Sequence, residues 1–310
     1  MTIDSHLHLG EYHDKAKEYT YTSNIDDLLD ILRGHHIQKA ICSPEPHGGL
    51  TSNQSIMYNQ RNAINSIPYA KDNISLIEIK KDYDTKDVLL PFRILDTRTK
   101  VKEQINIAEK SLKDGSFHGM KFHCQVLDVN ITDIDNPYVI SFLKETRLPV
   151  LLHSGIRKDK RLSSNVFALA EKYPEIRFCI AHMGRFEKKF RDRCDKEGIP
   201  SNLFIDTSPF YTVCHLSEGY TDENILAKIL KMDFKQTENI FKYFAERYQD
   251  NLMRGSDYPY ISYPRYQGSY KENIDLLDTL DEELKIKISR KNALRFLGDK
   301  KIAIGPKEYE

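Results

Sequence analysis

The sequence predicts an α/β protein folded as one closed (β/α)8 TIM barrel, on three observations. Short apolar runs of strand type alternate with helix-period segments along nearly the whole chain, the pattern of a parallel sheet with crossover helices. Ionisable residues stand at the carboxyl ends of several runs, just before glycine, serine or tyrosine-proline turns, and barrel enzymes build their sites at that end. The chain has 310 residues, a length one α/β barrel commonly reaches as a single domain. An open doubly wound sheet is the competing architecture. It would want a glycine-rich first turn, which Gly10 alone does not supply.

The first strand is read at residues 3–10 (IDSHLHLG). Side chains alternate along a strand, so His6 and His8 project together while Ile3, Leu7 and Leu9 pack elsewhere. Two imidazoles at a strand end make half of a metal site, which then needs ligands from distant parts of the chain. Residues 24–33 (NIDDLLDILR) form a helix with acidic residues in its first turn and Gly34 as its stop. His35 and His36 fall in the following helix-to-strand turn, at the end opposite a barrel's active site, and carry no expected role. Residues 39–43 (KAICS) are the second strand. A turn-rich loop with His47 and a polar helix to about residue 67 follow. The third strand spans residues 88–95 (VLLPFRIL), where Pro91 implies a bend or an irregular edge. An amphipathic helix over residues 102–113 leads to the fourth strand, residues 117–124 (FHGMKFHC). A helix over residues 137–145 precedes the fifth, residues 148–155 (LPVLLHSG). The sixth is residues 177–184 (RFCIAHMG), the seventh residues 203–208 (LFIDTS), and the eighth, after a long helical insertion, residues 252–259 (LMRGSDYP).

His153, His182 and Asp257 end the fifth, sixth and eighth strands, on the rim that also carries His6 and His8. Singly, His153 reads as a core histidine and Asp257 as a helix N-cap. Jointly, five ionisable groups converging on one rim need a common partner, because each would cost several kcal/mol buried alone. A divalent metal is the economical partner. Three imidazoles and a carboxylate suit zinc best, with manganese, iron or cobalt able to use similar geometry.

These motifs carry a resemblance. IDSHLHLG, GMKFHCQ, PVLLHSG, IAHMG, GSDYPY and the closing SRKNALRFLG together resemble the amidohydrolase superfamily of metal-dependent barrel enzymes. Within it they resemble the branch typified by aminocarboxymuconate-semialdehyde decarboxylase, the amidohydrolase-2 branch. Only residues 213–247 have no obvious counterpart. The resemblance implies that His6, His8, His153 and Asp257 bind a catalytic metal and that His182 works beside it. Such an ion lowers the pKa of water toward neutrality; Asp257 then takes and returns a proton, and His182 orients the water or polarises the bond under attack. In some superfamily members the fourth-strand lysine is carboxylated and bridges two ions, which would recruit Lys121 and His182 as further ligands. The branch that GMKFHCQ resembles generally works with one ion, so one is expected, with Lys121 left as a fixed positive charge for a substrate anion. His123 faces the same way as Lys121 and is expected to contact substrate.

Loops on the same rim should shape the pocket through Tyr12, His13, Arg157, Arg185, Tyr211, His215, Tyr258 and Tyr260. Arg185, directly after IAHMG, is the first choice for a two-point grip on a carboxylate. The insertion near residues 213–247 reads as a lid, a dimer surface or an elongated seventh-helix region. Lysine plus arginine equals aspartate plus glutamate at 46 each, so nothing favours nucleic acid or an anionic membrane as partner. The sequence has no apolar run of about eighteen residues, and His-x-His stands where a leader's charged and apolar parts would be, which predicts a cytoplasmic protein. The five cysteines are scattered and odd in number, so reduced thiols are expected. The expected partner is a small-molecule substrate, with a homo-oligomer left open. The expected activity is metal-dependent hydrolysis of an amide, ester or lactone. The alternative is non-oxidative decarboxylation of a small carboxylic acid on the same site, and a third reading is a barrel that binds a ligand without turnover.

Overall fold

The computed structural model of the chain describes residues 1–14, 19–46, 67–82, 88–113, 115–154, 162–211, 214, 237–262 and 269–298. His47, Arg157, His215, residues 215–236 of the insertion and the polar helix expected before residue 67 lie outside them, as do the side chains of Tyr12 and His13.

Along the chain the elements are β1 (Ile3–Asp14), β2 (Tyr19–Ser23), α1 (Ile25–Gly34), β3 (Lys39–Pro44), α2 (Ala70–Asp82), β4 (Leu89–Ile94) and α3 (Val101–Leu112). Then come β5 (Gly119–His123), the single turn α4 (Cys124–Leu127), α5 (Pro137–Thr146), β6 (Val150–His153), α6 (Val166–Lys172), β7 (Phe178–Ile180) and α7 (Lys188–Lys196). The last are β8 (Leu203–Asp206), α8 (Thr237–Arg247), β9 (Leu252–Met253), α9 (Tyr270–Asp278), α10 (Glu282–Ile286) and α11 (Asn292–Leu297). β1 and β3 to β9 are the eight barrel strands, each parallel to the next. β2 is an added ribbon, antiparallel on the outer half of β1 from Gly10↔Ser23 to Asp14↔Tyr19.

The sheet closes between β1 and the segment after β9. Ser5 N–H donates to the Arg254 carbonyl (2.9 Å), Asp257 N–H to the His6 carbonyl (2.8 Å) and His8 N–H to the Tyr258 carbonyl (2.6 Å). A buried ion pair reinforces this seam: Arg254 Nη1 lies 2.8 Å from Asp4 Oδ2, which also accepts from Tyr270 Oη at 2.8 Å.

Strand alternation sorts the core into two. Ile3, Ile41, Leu90, Phe92, Leu151, Cys179, Phe204 and Met253 fill the barrel interior, which Phe296 of α11 closes from below. Met120, Phe122, Val150, Leu152, Phe178, Ile180, Leu203 and Ile205 face outward against the helices. A Cβ on Gly119 would stand 2.3 Å from Phe92 Cζ, so glycine is what lets the Phe92 ring fill the interior. Continuing the same period to the strand ends turns Lys121, His123, His153 and Asp206 inward at the top.

Some local readings are corrected. α1 ends at Gly34 as expected, but the left-handed residue of its C-terminal turn is His36 (φ 54°), and Ile37 N–H bonds back to the Leu32 carbonyl at 2.8 Å in a Schellman-type end. Pro91 sits in an interior strand in register with Cys42, where it lacks a donor but its carbonyl accepts from His118 N–H at 2.7 Å. The described end of the insertion, α8, packs Phe241 on Phe210 (5.1 Å between centroids) and Phe244 on Phe186 (5.2 Å). All five cysteines are buried thiols outside any disulfide. Among the described residues no helix is long and apolar enough to cross a membrane.

Candidate metal centre

β1 delivers His6 and His8 to the carboxyl mouth, and a register shift between Asp4 and Leu7 turns both rings inward. Their Nε2 atoms stand 3.1 Å apart. Asp257, directly after β9 in a left-handed conformation (φ 57°), places Oδ1 at 3.5 Å from His6 Nε2 and 3.4 Å from His8 Nε2. These three residues offer ligand atoms all within 4.8 Å of one another, and all three are buried. Two imidazoles and a carboxylate are a donor set that suits a divalent ion such as zinc or manganese. The arrangement therefore fits the metal that the sequence implies.

The protonation states fit as well. Burial alone would push the Asp257 carboxyl up, but the His182, His6 and His8 rings hold it well below the usual carboxylate range. Burial also lowers His8, drives His182 down to about 3, and carries His153 well below its ordinary value, with His123, His182 and Arg185 adding to that last shift. Neutral imidazoles beside an ionised carboxylate are what cation binding requires.

His182 opens a run, His182–Phe186, in which every residue has positive φ, from 51° to 60°. Such backbone is held only where its surroundings impose it. Here Gly184 packs on the Phe190 ring, where a Cβ would come within 2.7 Å. The turn brings His182 Nδ1 onto the Ser208 carbonyl and to 3.9 Å from Asp257 Oδ2. His153 Nδ1 lies 2.8 Å from His182 Nε2. Its Nε2 faces Arg185 Nη2 at 2.9 Å and Gln125 Oε1 at 3.2 Å. His123, in register with His153 across β5 and β6, stacks on it at 3.7 Å between centroids and 18°. Lys121 is wholly buried, its Nζ 2.6 Å from His6 Nε2, and burial lowers it to about 8 against the pull of Asp257 and Asp206.

Of the residues singled out in the sequence, His6, His8, Lys121, His123, His153, His182, Arg185 and Asp257 are thus joined by side-chain contacts at the barrel mouth. His153 stands apart from the His6, His8 and Asp257 group and joins it through His182. The sequence reading passed over Asp206, Ser208, Gln125 and Glu45. Asp206 is wholly buried at the end of β8, with Oδ2 3.0 Å from His6 Nδ1. It follows an apolar run in LFIDTS as His153 and Asp257 follow theirs, so the same signal would have found it. Glu45 accepts from Tyr260 Oη at 2.6 Å, and the Tyr260 ring stands edge-on to His8 at 5.7 Å.

The amidohydrolase family model matches residues 3–298, from the first barrel strand to the last helix. The chain belongs to the amidohydrolase family. No curated protein matches the sequence significantly. Solved structures share the fold at low identity. A probable 2-pyrone-4,6-dicarboxylic acid hydrolase of Acinetobacter baumannii, with citric acid bound, is 18% identical over 96% of this chain and 98% of its own, with a TM-score of 0.61. A 2,6-dihydroxybenzoate decarboxylase bound to 2,6-dihydroxybenzoate is 16% identical over 96% and 98%, with a TM-score of 0.55. The 5-carboxyvanillate decarboxylase of Novosphingobium aromaticivorans, with manganese and a nitrobenzoic acid bound, is 12% identical over 96% of each chain, with a TM-score of 0.59. This amidohydrolase therefore shares its fold with a probable hydrolase and with decarboxylases.

Proposed function

We propose that this amidohydrolase is a metal-dependent hydrolase of a small ester, lactone or amide that carries a carboxylate. The observation that carries the reading is the convergence of His6 Nε2, His8 Nε2 and Asp257 Oδ1 at 3.1, 3.4 and 3.5 Å inside the barrel mouth. One divalent ion, zinc by preference, would be held by these three residues, with His153 linked to them through His182. When bound it supplies Lewis acidity that polarises a carbonyl and acidifies water. Asp257, kept ionised by its histidine neighbours, takes the proton of the attacking water and hands it to the leaving group. His182 donates Nδ1–H to the Ser208 carbonyl, which leaves Nε2 to accept from His153 Nδ1 at 2.8 Å, and the imidazole so fixed works beside Asp257, whose Oδ2 lies 3.9 Å from Nδ1. Lys121 stays unmodified and, with Arg185 and His123, supplies positive and donor groups for the substrate carboxylate.

Non-oxidative decarboxylation is the second reading, favoured by the same wholly buried cation, since Lys121 would seat a carboxylate in a water-poor pocket. Assaying carboxylated lactones and esters with and without chelator, while trapping carbon dioxide, separates the two. Hydrolysis yields the opened acid and no gas. Carbon dioxide from a carboxylic acid would replace the first reading by the second, and turnover untouched by chelator would remove both.

A further inference from the structure

Asp206 stands outside the His6, His8 and Asp257 group and forms a second buried group with His6 and His182. Its Oδ1 accepts from His182 N–H at 3.1 Å, from Ser208 N–H at 2.9 Å and from the Ser208 hydroxyl. Its Oδ2 faces His6 Nδ1 at 3.0 Å, with Ser208 Oγ 2.7 Å from the same nitrogen. Asp206, His6 and Ser208 are all wholly buried, so no water competes for these bonds.

We propose that Asp206 is a positioning residue that sets which nitrogen of His6 faces the metal and holds His182 beside it. A carboxylate is an acceptor, so the His6 nitrogen next to it must carry the hydrogen, which leaves the lone pair on Nε2. Nε2 is the atom 3.1 Å from His8 Nε2 and 3.5 Å from Asp257 Oδ1, and it accepts from Lys121 Nζ at 2.6 Å. His8 is oriented differently. Its Nδ1 lies 3.3 Å from the Pro44 carbonyl and 3.0 Å from Ser43 Oγ, both uncharged partners. His6 is therefore the ligand whose donor strength depends on a charged partner. Through Oδ1 the same carboxylate fixes the start of the left-handed His182–Phe186 turn, so one residue on β8 registers the ligand from β1 against the histidine after β7.

The substitution Asp206→Asn exposes this role. Three donors surround Oδ1, so the amide oxygen must stay on that side and the NH2 group must face His6 Nδ1. That nitrogen then faces a donor in place of the carboxylate, with Ser208 Oγ at 2.7 Å the remaining acceptor, so the balance shifts toward hydrogen on Nε2, the nitrogen a metal needs free.

The inference rests on the metal-dependent reading, and its test separates the two. Long-range proton–nitrogen NMR of metal-free, 15N-labelled protein reports which ring nitrogen is protonated, with His6 assigned by comparison with His6→Gln. The parent should show His6 protonated at Nδ1 and Asp206→Asn at Nε2. Zinc affinity, measured by chelator competition, should fall by about 10- to 100-fold in Asp206→Asn. Parent His6 protonated at Nε2, or a folded Asp206→Asn that binds zinc as tightly as the parent, overturns the proposal. If Asp206→Asn fails to fold, the parent spectrum alone decides. A parent that binds zinc with His6 protonated at Nδ1 yet hydrolyses nothing removes the hydrolase reading and leaves the role of Asp206 standing.

Discussion

In the proposed reaction Asp257 is the carboxylate on which both the donor group and the proton transfer depend, and its left-handed backbone places it between His6 and His8. Asp257→Asn keeps the volume and removes the charge and the base. The folded variant should lose about 10²- to 10⁴-fold in kcat, the range of a missing general base. Steady-state kinetics beside a circular-dichroism spectrum checks this, and an unchanged kcat would take Asp257 out of the reaction. Arg185→Ala should raise KM for a carboxylated substrate by about 10- to 100-fold, the weight of a hydrogen bond to a charged group, with a smaller effect on an uncharged analogue. Equal effects on both would deny Arg185 its carboxylate. The common rim of His6, His8, His153, His182 and Asp257 was legible because His153, His182 and Asp257 follow mostly apolar runs at strand ends and His6 and His8 alternate along the first strand. Tautomers, the His153 to His182 bond and the grip of Asp206 on His6 were not. Those depend on which residues sit opposite one another across strands, 29 positions apart for His153 and His182 and 200 for His6 and Asp206, and period and motif are silent about that.

Among the elements, the barrel strands were legible from their apolar runs, and α1 from its stripe of Leu28, Leu29 and Leu32. α2 was not. It buries Asp72, Asn73 and Lys80 beside Leu76 and Ile77, so its inner face is not an apolar stripe. Asn73 instead donates to the Ile94 carbonyl (3.0 Å) and accepts from Ile94 N–H (2.8 Å), bonds that bind the helix to β4 and leave no pattern in a hydrophobicity reading. Two substitutions test how the strands are held. Gly119→Ala forces a methyl against Phe92 and should destabilise by about 1–3 kcal/mol, with Phe92→Leu in the same chain recovering part of the loss. Asp4→Ala leaves Arg254 buried without its carboxylate and should cost about 3–5 kcal/mol by opening the seam between β1 and β9. Urea unfolding measures both. A neutral Asp4→Ala would mean that the backbone bonds alone close the barrel.

For the whole molecule, the barrel is a frame that brings distant strand ends together at one mouth, and in the proposed reading a divalent cation is what those ends share. β1 and the segment after β9 are neighbours in the closed sheet, so an ion held by His6, His8 and Asp257 bridges the two extremities of the barrel. Binding should therefore stabilise the fold as well as enable chemistry. The most direct test is elemental analysis of the full chain, purified without added metal, beside the His6→Ala/His8→Ala double variant. The expected result is a single divalent ion per parent chain, its loss in the double variant, and activity that falls with chelation and returns with the ion. A parent chain that is free of metal and still turns over substrate, or a double variant that retains the ion, would contradict it.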